Sequence, residues 1–317
     1  MCALSSKKTA IVFAYHNVGV RCLEVLLARP DLIDVKLVVT HQDNPNETIW
    51  FESVEELALR QKIPVITPEN PNTRETMSLL EEIGPDFIFS FYYRHMLDED
   101  ILYLATEGAL NMHGSLLPKY RGRVPINWAI LLGESQTGAT LHYMTGKPDA
   151  GDLVDQEAIS ILPDDTALIV FQKVTYAAER ILERALPELI AGTAPRIEQD
   201  LSQGSYYSGR KPEDGMILWE QYDSIQIHNL VRAVAPPYPG AWTTIDNEKF
   251  YIYRTRRVPA NEASFFTEDL EQTGVHLFTH ENSLYVRCVD GKYIEILEGE
   301  YQGESLNRHN MGMLFGL

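Results

Sequence analysis

The sequence predicts a two-domain α/β protein: an open, mostly parallel sheet covered by helices, followed by a smaller β-rich domain. Three observations carry this. The 317 residues exceed the usual size of one compact domain. Through the first half, short β-branched apolar runs alternate with helical stretches, the pattern of a parallel sheet covered on both faces. Beyond about Gly209 the texture changes to short alternating runs, which suits a small all-β unit.

The elements follow in order. Thr9 to Ala14 (TAIVFA) is a continuous apolar run and reads as a strand, Gly19 to Ala28 as a helix, Val35 to Thr40 as a strand and Val54 to Gln61 as a helix. A short strand at Pro64 to Thr67, a helix at Arg74 to Ile83 and a buried strand at Asp86 to Phe91 (DFIFSF) come next. A helix at Glu99 to Leu104 precedes the strand Gly108 to His113. After a loop rich in Pro, Lys, Arg and Gly, a helix near Ile126 to Leu132 and a strand at Ala139 to Met144 are expected. Ala167 to Leu189 keeps helical spacing as far as the stop signal at Ala191-Gly192. The polar Pro/Gly stretch Arg210 to Gly215 reads as a linker, giving domains 1–209 and 210–317. Strands are expected at Phe250 to Tyr253, His276 to Phe278, Leu284 to Cys288 and Ile294 to Leu297. The chain holds no internal repeat and no low-complexity tract.

Composition excludes several function classes. Hydrophobic residues make up 44% of the chain, enough for a sizeable core. Met1 to Lys8 is mostly polar, and the apolar run Ala10 to Tyr15 is too short for a signal peptide or a membrane span, so a soluble, cytoplasmic protein without membrane insertion is expected. With 27 basic and 45 acidic residues the net charge is −18. Such a field repels polyphosphate unless a local basic patch overrides it, so no nucleic-acid partner is expected. A small phosphorylated ligand is compatible with it, held by one or two cations and a helix N-terminus. The three cysteines, Cys2, Cys22 and Cys288, lack CxxC spacing and read as buried or incidental thiols.

The stretch Leu110 to Trp128, LNMHGSLLPKYRGRVPINW, holds the first chemical constellation. Asn111 and His113 are two apart at a strand end, so an amide donor and an imidazole share one face at the carboxyl edge of the sheet. The same spacing also serves merely to satisfy strand-end backbone groups. Gly114 and Ser115 form a turn at which substrate can approach the backbone. Asp149 lies in GKPDAGD, 146–152, and reaches the same edge if the two strands are neighbours, completing a donor, a base and a carboxylate partner. On its own it is equally an ordinary turn residue. The remaining histidines, His16, His41, His95, His142, His228, His276, His280 and His309, have no metal-ligand spacing and read as structural; no metal is expected. GxGxxG and P-loop fingerprints are absent. The turn Tyr15 to Gly19 either receives a phosphate at a helix N-terminus or is a plain strand-to-helix connection.

LNMHGSLLPKYRGRVPINW followed by LHYMTGKPDAGD resembles the formyltetrahydrofolate-dependent formyltransferase family, whose members use an Asn-x-His strand, an SLLP loop and a later Asp. Among its branches the chain is most similar to the formyltransferase part of the bifunctional aminoarabinose enzyme of lipid A modification. The further segments that carry this are FAYHNVG (13–19), THQDNP (40–45), FSFYYRH (89–95) and NLVRAVAPPYPGAW (229–242), so both domains are covered. The resemblance implies a Rossmann-like sheet of the formyltransferase fold with an OB-like second domain, and lipopolysaccharide biosynthesis as the setting. The bifunctional enzyme carries a dehydrogenase part after its formyltransferase part, and no such part is expected after Leu317 here. Either the acceptor is another sugar or the dehydrogenase is a separate protein.

The resemblance further implies that Asn111, His113 and Asp149 are the catalytic group and that the co-substrate is 10-formyltetrahydrofolate. Asn111 and a protonated His113 would donate to the formyl oxygen, and Asp149 would hold the imidazole. Phe91, Tyr92, Tyr93, Arg94, Leu117, Arg123 and Asp152 are the expected folate contacts. Tyr15, His16, Asn17, Lys119, Tyr120 and Arg121 are the expected contacts to the acceptor, a nucleotide-linked 4-amino sugar such as UDP-4-amino-4-deoxy-arabinose or a related dTDP or UDP sugar. Methionyl-tRNA formyltransferase and a catalytically inactive folate-binding homologue are the alternatives, and a homodimer is left open.

Overall fold

The computed structural model describes residues 7–45, 47–263, 266, 275–308 and 310–311. Cys2 and the rest of the first six positions, and also His309, lie outside the described residues. The chain divides into two compact units. The first comprises 1–125, 137–159 and 172–208; the second comprises 126–136, 160–171 and 209–317. The expected single cut after residue 209 is therefore incomplete, because two short segments earlier in the chain join the second unit.

In the first unit the elements are β1 (Lys8–Ala14), α1 (His16–Leu27), β2 (Ile33–Val39), α2 (Val54–Arg60), β3 (Val65–Ile66), α3 (Arg74–Ile83), β4 (Phe87–Phe91), α4 (Glu99–Leu102) and β5 (Gly108–His113). They continue with β6 (Arg121–Gly122), α5 (Pro125–Leu131), β7 (Gln136–Tyr143), β8 (Leu153–Ser160), α6 (Ala167–Ala191) and β9 (Tyr206–Tyr207). Of these, α5 beyond Pro125 and the start of α6 group with the second unit.

Seven strands form one sheet in the order β3-β2-β1-β4-β5-β7-β8. Pairs from β3 to β5 are parallel, whereas β7 runs antiparallel to β5. The run Phe87–Phe91 is buried throughout, as a strand covered on both faces must be, and its three phenylalanine rings stack at 5.7 and 5.6 Å. Local signals set the helix ends. Ser53 and Thr73 cap α2 and α3 by accepting from the amides of Glu56 and Thr76. α1 starts three residues earlier than the apolar spacing suggested, at His16, whose φ of 68° turns the chain out of β1.

The second unit contains α7 (Ser224–Val234), β10 (Ala241–Ile245), β11 (Glu248–Arg257), α8 (Ala260–Ala263), β12 (His276–His280), β13 (Ser283–Arg287), β14 (Tyr293–Tyr301) and β15 (Glu304–Asn307). Its antiparallel strands follow the order β10-β11-β14-β13-β12, with β15 also on β14. The expected run Arg210 to Gly215 holds one short 3-10 turn, Pro212–Gly215. α7 was not anticipated. Asp223 and Gln226 form a capping box at its start, and Ile227, Leu230, Val231 and Val234 bury one face among Phe250, Ile252, Leu284 and Ile296.

Hydrogen bonds explain the two early segments of this unit. Asn127 donates to Ala233 O at 2.7 Å. The buried Arg232 donates to Asn229 Oδ1 and to the carbonyl oxygens of Leu162 and Asp165. Cys22 and Cys288 are buried free thiols, as expected.

Candidate active site

The antiparallel pairing of β5 with β7 builds the site. It sets Asn111 opposite His142 and His113 opposite Thr140, so Asn111, His113 and His142 meet at one place on the sheet. His142 had been read as structural. The structure corrects this: its Nε2 lies 3.1 Å from Asn111 Nδ2 and 3.6 Å from Asp149 Oδ1. No spacing in the sequence reveals a contact created by strand pairing.

The tautomers follow from the partners. His142 Nδ1 is 2.8 Å from Tyr143 O; a carbonyl only accepts, so Nδ1 carries the proton. Nε2 then offers a lone pair and accepts from Asn111. One amide proton of Asn111 is thereby fixed, and the other faces away from His142. His113 Nε2 is 2.8 Å from Tyr120 O and, by the same reasoning, donates to it. Its Nδ1 is 3.5 Å from Asp149 Oδ1. The expected donation from His113 to a substrate oxygen therefore meets a competitor, because its Nε2 proton is engaged by Tyr120.

Asp149 sits in the loop between β7 and β8 with φ of 52°. The amide of Gly122 donates to its Oδ2 at 2.8 Å. Burial alone would raise its carboxyl; the charge of His113 and the Gly122 amide outweigh this, and it lies well below the usual carboxylate range. Asp149 is thus an anion held between two imidazoles.

Two glycines are used structurally. Gly122 has φ of 96°, and a Cβ there would lie 2.2 Å from Tyr207 O, so only glycine brings this amide to Asp149. A Cβ on Gly114 would lie 2.0 Å from the Tyr92 hydroxyl. The space beside Gly114, expected to admit substrate, is taken by Tyr92.

The other expected contacts fall into two groups. Around the catalytic edge, Tyr120 is buried and stacks on Tyr207 at 5.4 Å, while Arg121 pairs through β6 with β9. Arg123 and Lys119 are exposed. Leu117 is buried, its amide held by Thr140 and its carbonyl by Gln156.

The second group gathers Tyr15, His16, Asn17, Tyr93 and Arg94 with His41, Asp43, Glu47 and residues 50–52. Tyr15 donates to Asp43, and Asn17 Oδ1 accepts from the amide of Glu52. His16 stacks on Phe51 at 4.0 Å and meets Trp50 edge-on. Burial, helped by Arg94, pushes its imidazole down to about 3, so it offers no positive charge to a phosphate at neutral pH. His41 is likewise pushed down by burial, then by His95 and Arg94, to about 4, and stacks on Tyr93 at 4.2 Å. Arg94 makes a bidentate pair with Glu47. Phe91 is buried, and its carbonyl accepts from the amide of Tyr15.

Of the expected folate contacts only Asp152 lines a cavity of about 720 Å³ formed within the first unit. Leu102, Ala105, Ala109 and Met144 give it apolar walls; Thr145, Glu198 and the backbone of the Asp149 loop give it polar ones. Sequence reasoning missed Arg196, Glu198 and Gln199, which lie after α6 with no motif to mark them. Among the described residues no group of three or more His, Cys, Asp or Glu is arranged to hold a metal ion, and no helix is long and apolar enough to cross a membrane.

Comparison with solved structures gives the same fold throughout. An N-formyltransferase from Helicobacter canadensis, in complex with folinic acid and dTDP-3-aminofucose, is 22% identical with a TM-score of 0.69 over 92% of this chain and 98% of that one. WlaRD, a sugar 3N-formyl transferase in the presence of dTDP and 5-N-formyl-THF, is 21% identical with a TM-score of 0.67 over 94% of this chain and 98% of its own. A 4-N formyltransferase from Francisella tularensis is 18% identical with a TM-score of 0.63 over 75% of this chain and 93% of that one. Residues 17–186 match the formyl transferase family model, and residues 210–308 match the formyl transferase C-terminal domain. With more than half the chain inside the first match, and with Asn111, His113 and Asp149 assembled on one sheet edge, this chain belongs to the formyl transferase family.

Proposed function

We propose that the protein transfers a formyl group from 10-formyltetrahydrofolate to the amine of a nucleotide-linked amino sugar, with UDP-4-amino-4-deoxy-arabinose as first choice. The observation that carries the reading is the Asn111, His113 and Asp149 group, held together by the β5–β7 pairing and the Gly122 amide. The acceptor class draws its support from structural neighbours that are described with dTDP or dTDP-3-aminofucose.

The amine nitrogen attacks the formyl carbon, negative charge develops on the formyl oxygen, and the bond from carbon to N10 of the folate then breaks as N10 takes up the proton that the amine gives up. The second amide proton of Asn111 is the donor for the oxyanion, a contribution of ~3 to 4 kcal/mol for one preorganised donor. His113 shares the charge of Asp149 beside the reacting nitrogen while the neutral His142 holds the Asn111 amide, and His113 turns to substrate when its ring releases Tyr120. The cavity beside the Asp149 loop takes the pterin of the donor. Its volume of about 720 Å³ lies in the range of small-molecule sites, roughly 300–1,000 Å³, and apolar walls with a polar rim suit a flat heteroaromatic ring. The exposed Lys119 and Arg123 are the cations for the nucleotide phosphates.

A tRNA acceptor fits less well. It needs many phosphate contacts, each adding to the salt dependence, and a net charge of −18 opposes such a surface. We place the reaction in the cytoplasm, in lipopolysaccharide biosynthesis. The test is to incubate the purified protein with 10-formyltetrahydrofolate and, in parallel, UDP-4-amino-arabinose, a dTDP-linked 4-amino-4,6-dideoxyhexose, a dTDP-linked 3-amino sugar and charged initiator methionyl-tRNA. Formylation of a sugar nucleotide is expected. Efficient formylation of the tRNA with no sugar nucleotide consumed would overturn the assignment, and turnover of the 3-amino sugar alone would move the acceptor position.

A further inference from the structure

We propose that Gln199 is a positioning residue for the formyl transfer, acting through the main chain of the Asp149 loop. The inference rests on the assignment of Asp149 to the catalytic group. Gln199 follows α6, two residues beyond Ile197, whose backbone exchanges hydrogen bonds with Leu153 at 2.8 and 3.0 Å. The residue is 8% exposed. The Nε2 amide donates to Asp149 O at 3.1 Å and to Gly151 O at 2.6 Å.

Both partners are carbonyls, so the amide can be turned only one way, with its nitrogen towards the loop. The consequence falls on the other atom: Oε1 is buried and accepts no hydrogen bond among the described residues. Leaving a buried carbonyl oxygen without a donor is costly, and this orientation is kept because it serves two carbonyls at once.

The loop needs such a clamp. Asp149 is a non-glycine residue with φ of 52°, a conformation that persists only where the surroundings over-determine it. The carboxylate end is fixed by Gly122 and His113; the main-chain end is fixed by Gln199. Gln199 also lines the cavity with Met144 and Asp152, so donor binding and carboxylate placement meet at one side chain.

The experiment is a double-mutant cycle on kcat. Gln199→Leu keeps the volume and removes both donors; it is combined with Asp149→Asn, and each protein is checked by its thermal melt. We expect Gln199→Leu to lower kcat about tenfold or more with the acceptor KM little changed, and to add less than about twofold once Asp149→Asn is present, as residues acting through one group do. Additive losses overturn the proposal, as does near wild-type turnover of Gln199→Leu beside an impaired Asp149→Asn. Wild-type turnover of Asp149→Asn instead overturns the catalytic assignment itself. If Gln199→Leu does not fold, Gln199→Glu carries the test: a carboxyl donates only when protonated, so its activity relative to wild type must rise as pH falls, and an unchanged pH profile overturns the role.

Discussion

His142→Leu separates the orienting of a donor from the donor itself. Leucine fills much of the space of the imidazole and removes the Nε2 lone pair that accepts from Asn111 at 3.1 Å. The lost contact joins two uncharged groups, worth ~0.5–1.5 kcal/mol net, or about 2- to 13-fold in rate if all of it serves to orient the amide. Removing the donor outright, by Asn111→Ala, costs about 100- to 1,000-fold. Asp149 loses its 3.6 Å neighbour as well, but keeps Gly122 and His113. The assay is single-turnover formyl transfer at saturating donor and acceptor, read as folate release, for both single variants and the double variant. The expected pattern is a loss of about 2- to 13-fold in His142→Leu and no further loss when it is added to Asn111→Ala, since an amide that is absent cannot be misoriented. A loss as large as that of Asn111→Ala would make His142 a participant in the chemistry, and an unchanged kcat would remove it from the site; either result refutes the reasoning.

Three further outcomes are expected. Asn111→Ala and His113→Ala each lose about 100-fold or more in kcat with the melting temperature nearly kept; near wild-type turnover of either would show that the chemistry lies elsewhere. Asp149→Asn cuts turnover, because the anion that holds the His113 ring is gone. Its carboxyl is depressed in the folded protein, so its stabilisation is present above the ordinary carboxylate range and lost as pH falls below it; the gap in melting temperature between wild type and Asp149→Asn must therefore close in acid. His16 is held neutral down to about 3, so below its unfolded value near 6.5 the unfolded chain binds the extra proton and stability falls with pH, by about 2 kcal/mol between pH 6.5 and 5. Urea unfolding of His16→Phe should show that much less acid destabilisation than wild type, and identical pH slopes would contradict a neutral His16.

Legibility in the sequence followed the range of the forces involved. β5 and α3 were read to the residue, because α3 carries its own cap and β5 is a short apolar run bounded by Gly108 and the Gly114 turn. β8 was missed: Leu153–Ser160 is a partly exposed edge strand rich in acidic and polar residues, and its place beside β7 is a tertiary fact. α7 was missed although Asp223 and Gln226 mark its start, because the surrounding β texture hid the helical spacing. That Asn111, His113 and Asp149 meet was legible from the strand spacing and the loop position, while the roles expected of them came from the family resemblance. His142 and Gln199 were not, since they lie 31 residues from Asn111 and 50 residues from Asp149 and are joined to them only by strand pairing and loop packing.

Backbone strain separates the two units. Among the described residues of the second unit, the non-glycine residues with positive φ are Asp246 and Asn247, Glu281 and Asn282, and Gln302. All lie in two-residue connections, between β10 and β11, β12 and β13, and β14 and β15. Hairpins require such angles to match strand twist, and Asn, Asp or Gly accept them readily. In the first unit the same angles fall on His16, Tyr92, Tyr120, Val124 and Asp149, with Lys62 at the end of α2. None of these joins two hairpin strands by two residues, and Val and Tyr are poor choices for the left-handed region, at a cost of about 1–3 kcal/mol each. Four of them, Tyr92, Tyr120, Val124 and Asp149, share a position. Tyr120 supplies the carbonyl that holds His113, Val124 follows the glycine that holds Asp149, Tyr92 fills the space beside Gly114, and Asp149 is the anion itself. Strain of this kind is kept only where the surrounding contacts repay it, and here those contacts are the ones that fix the donor, the imidazoles and the carboxylate against one another.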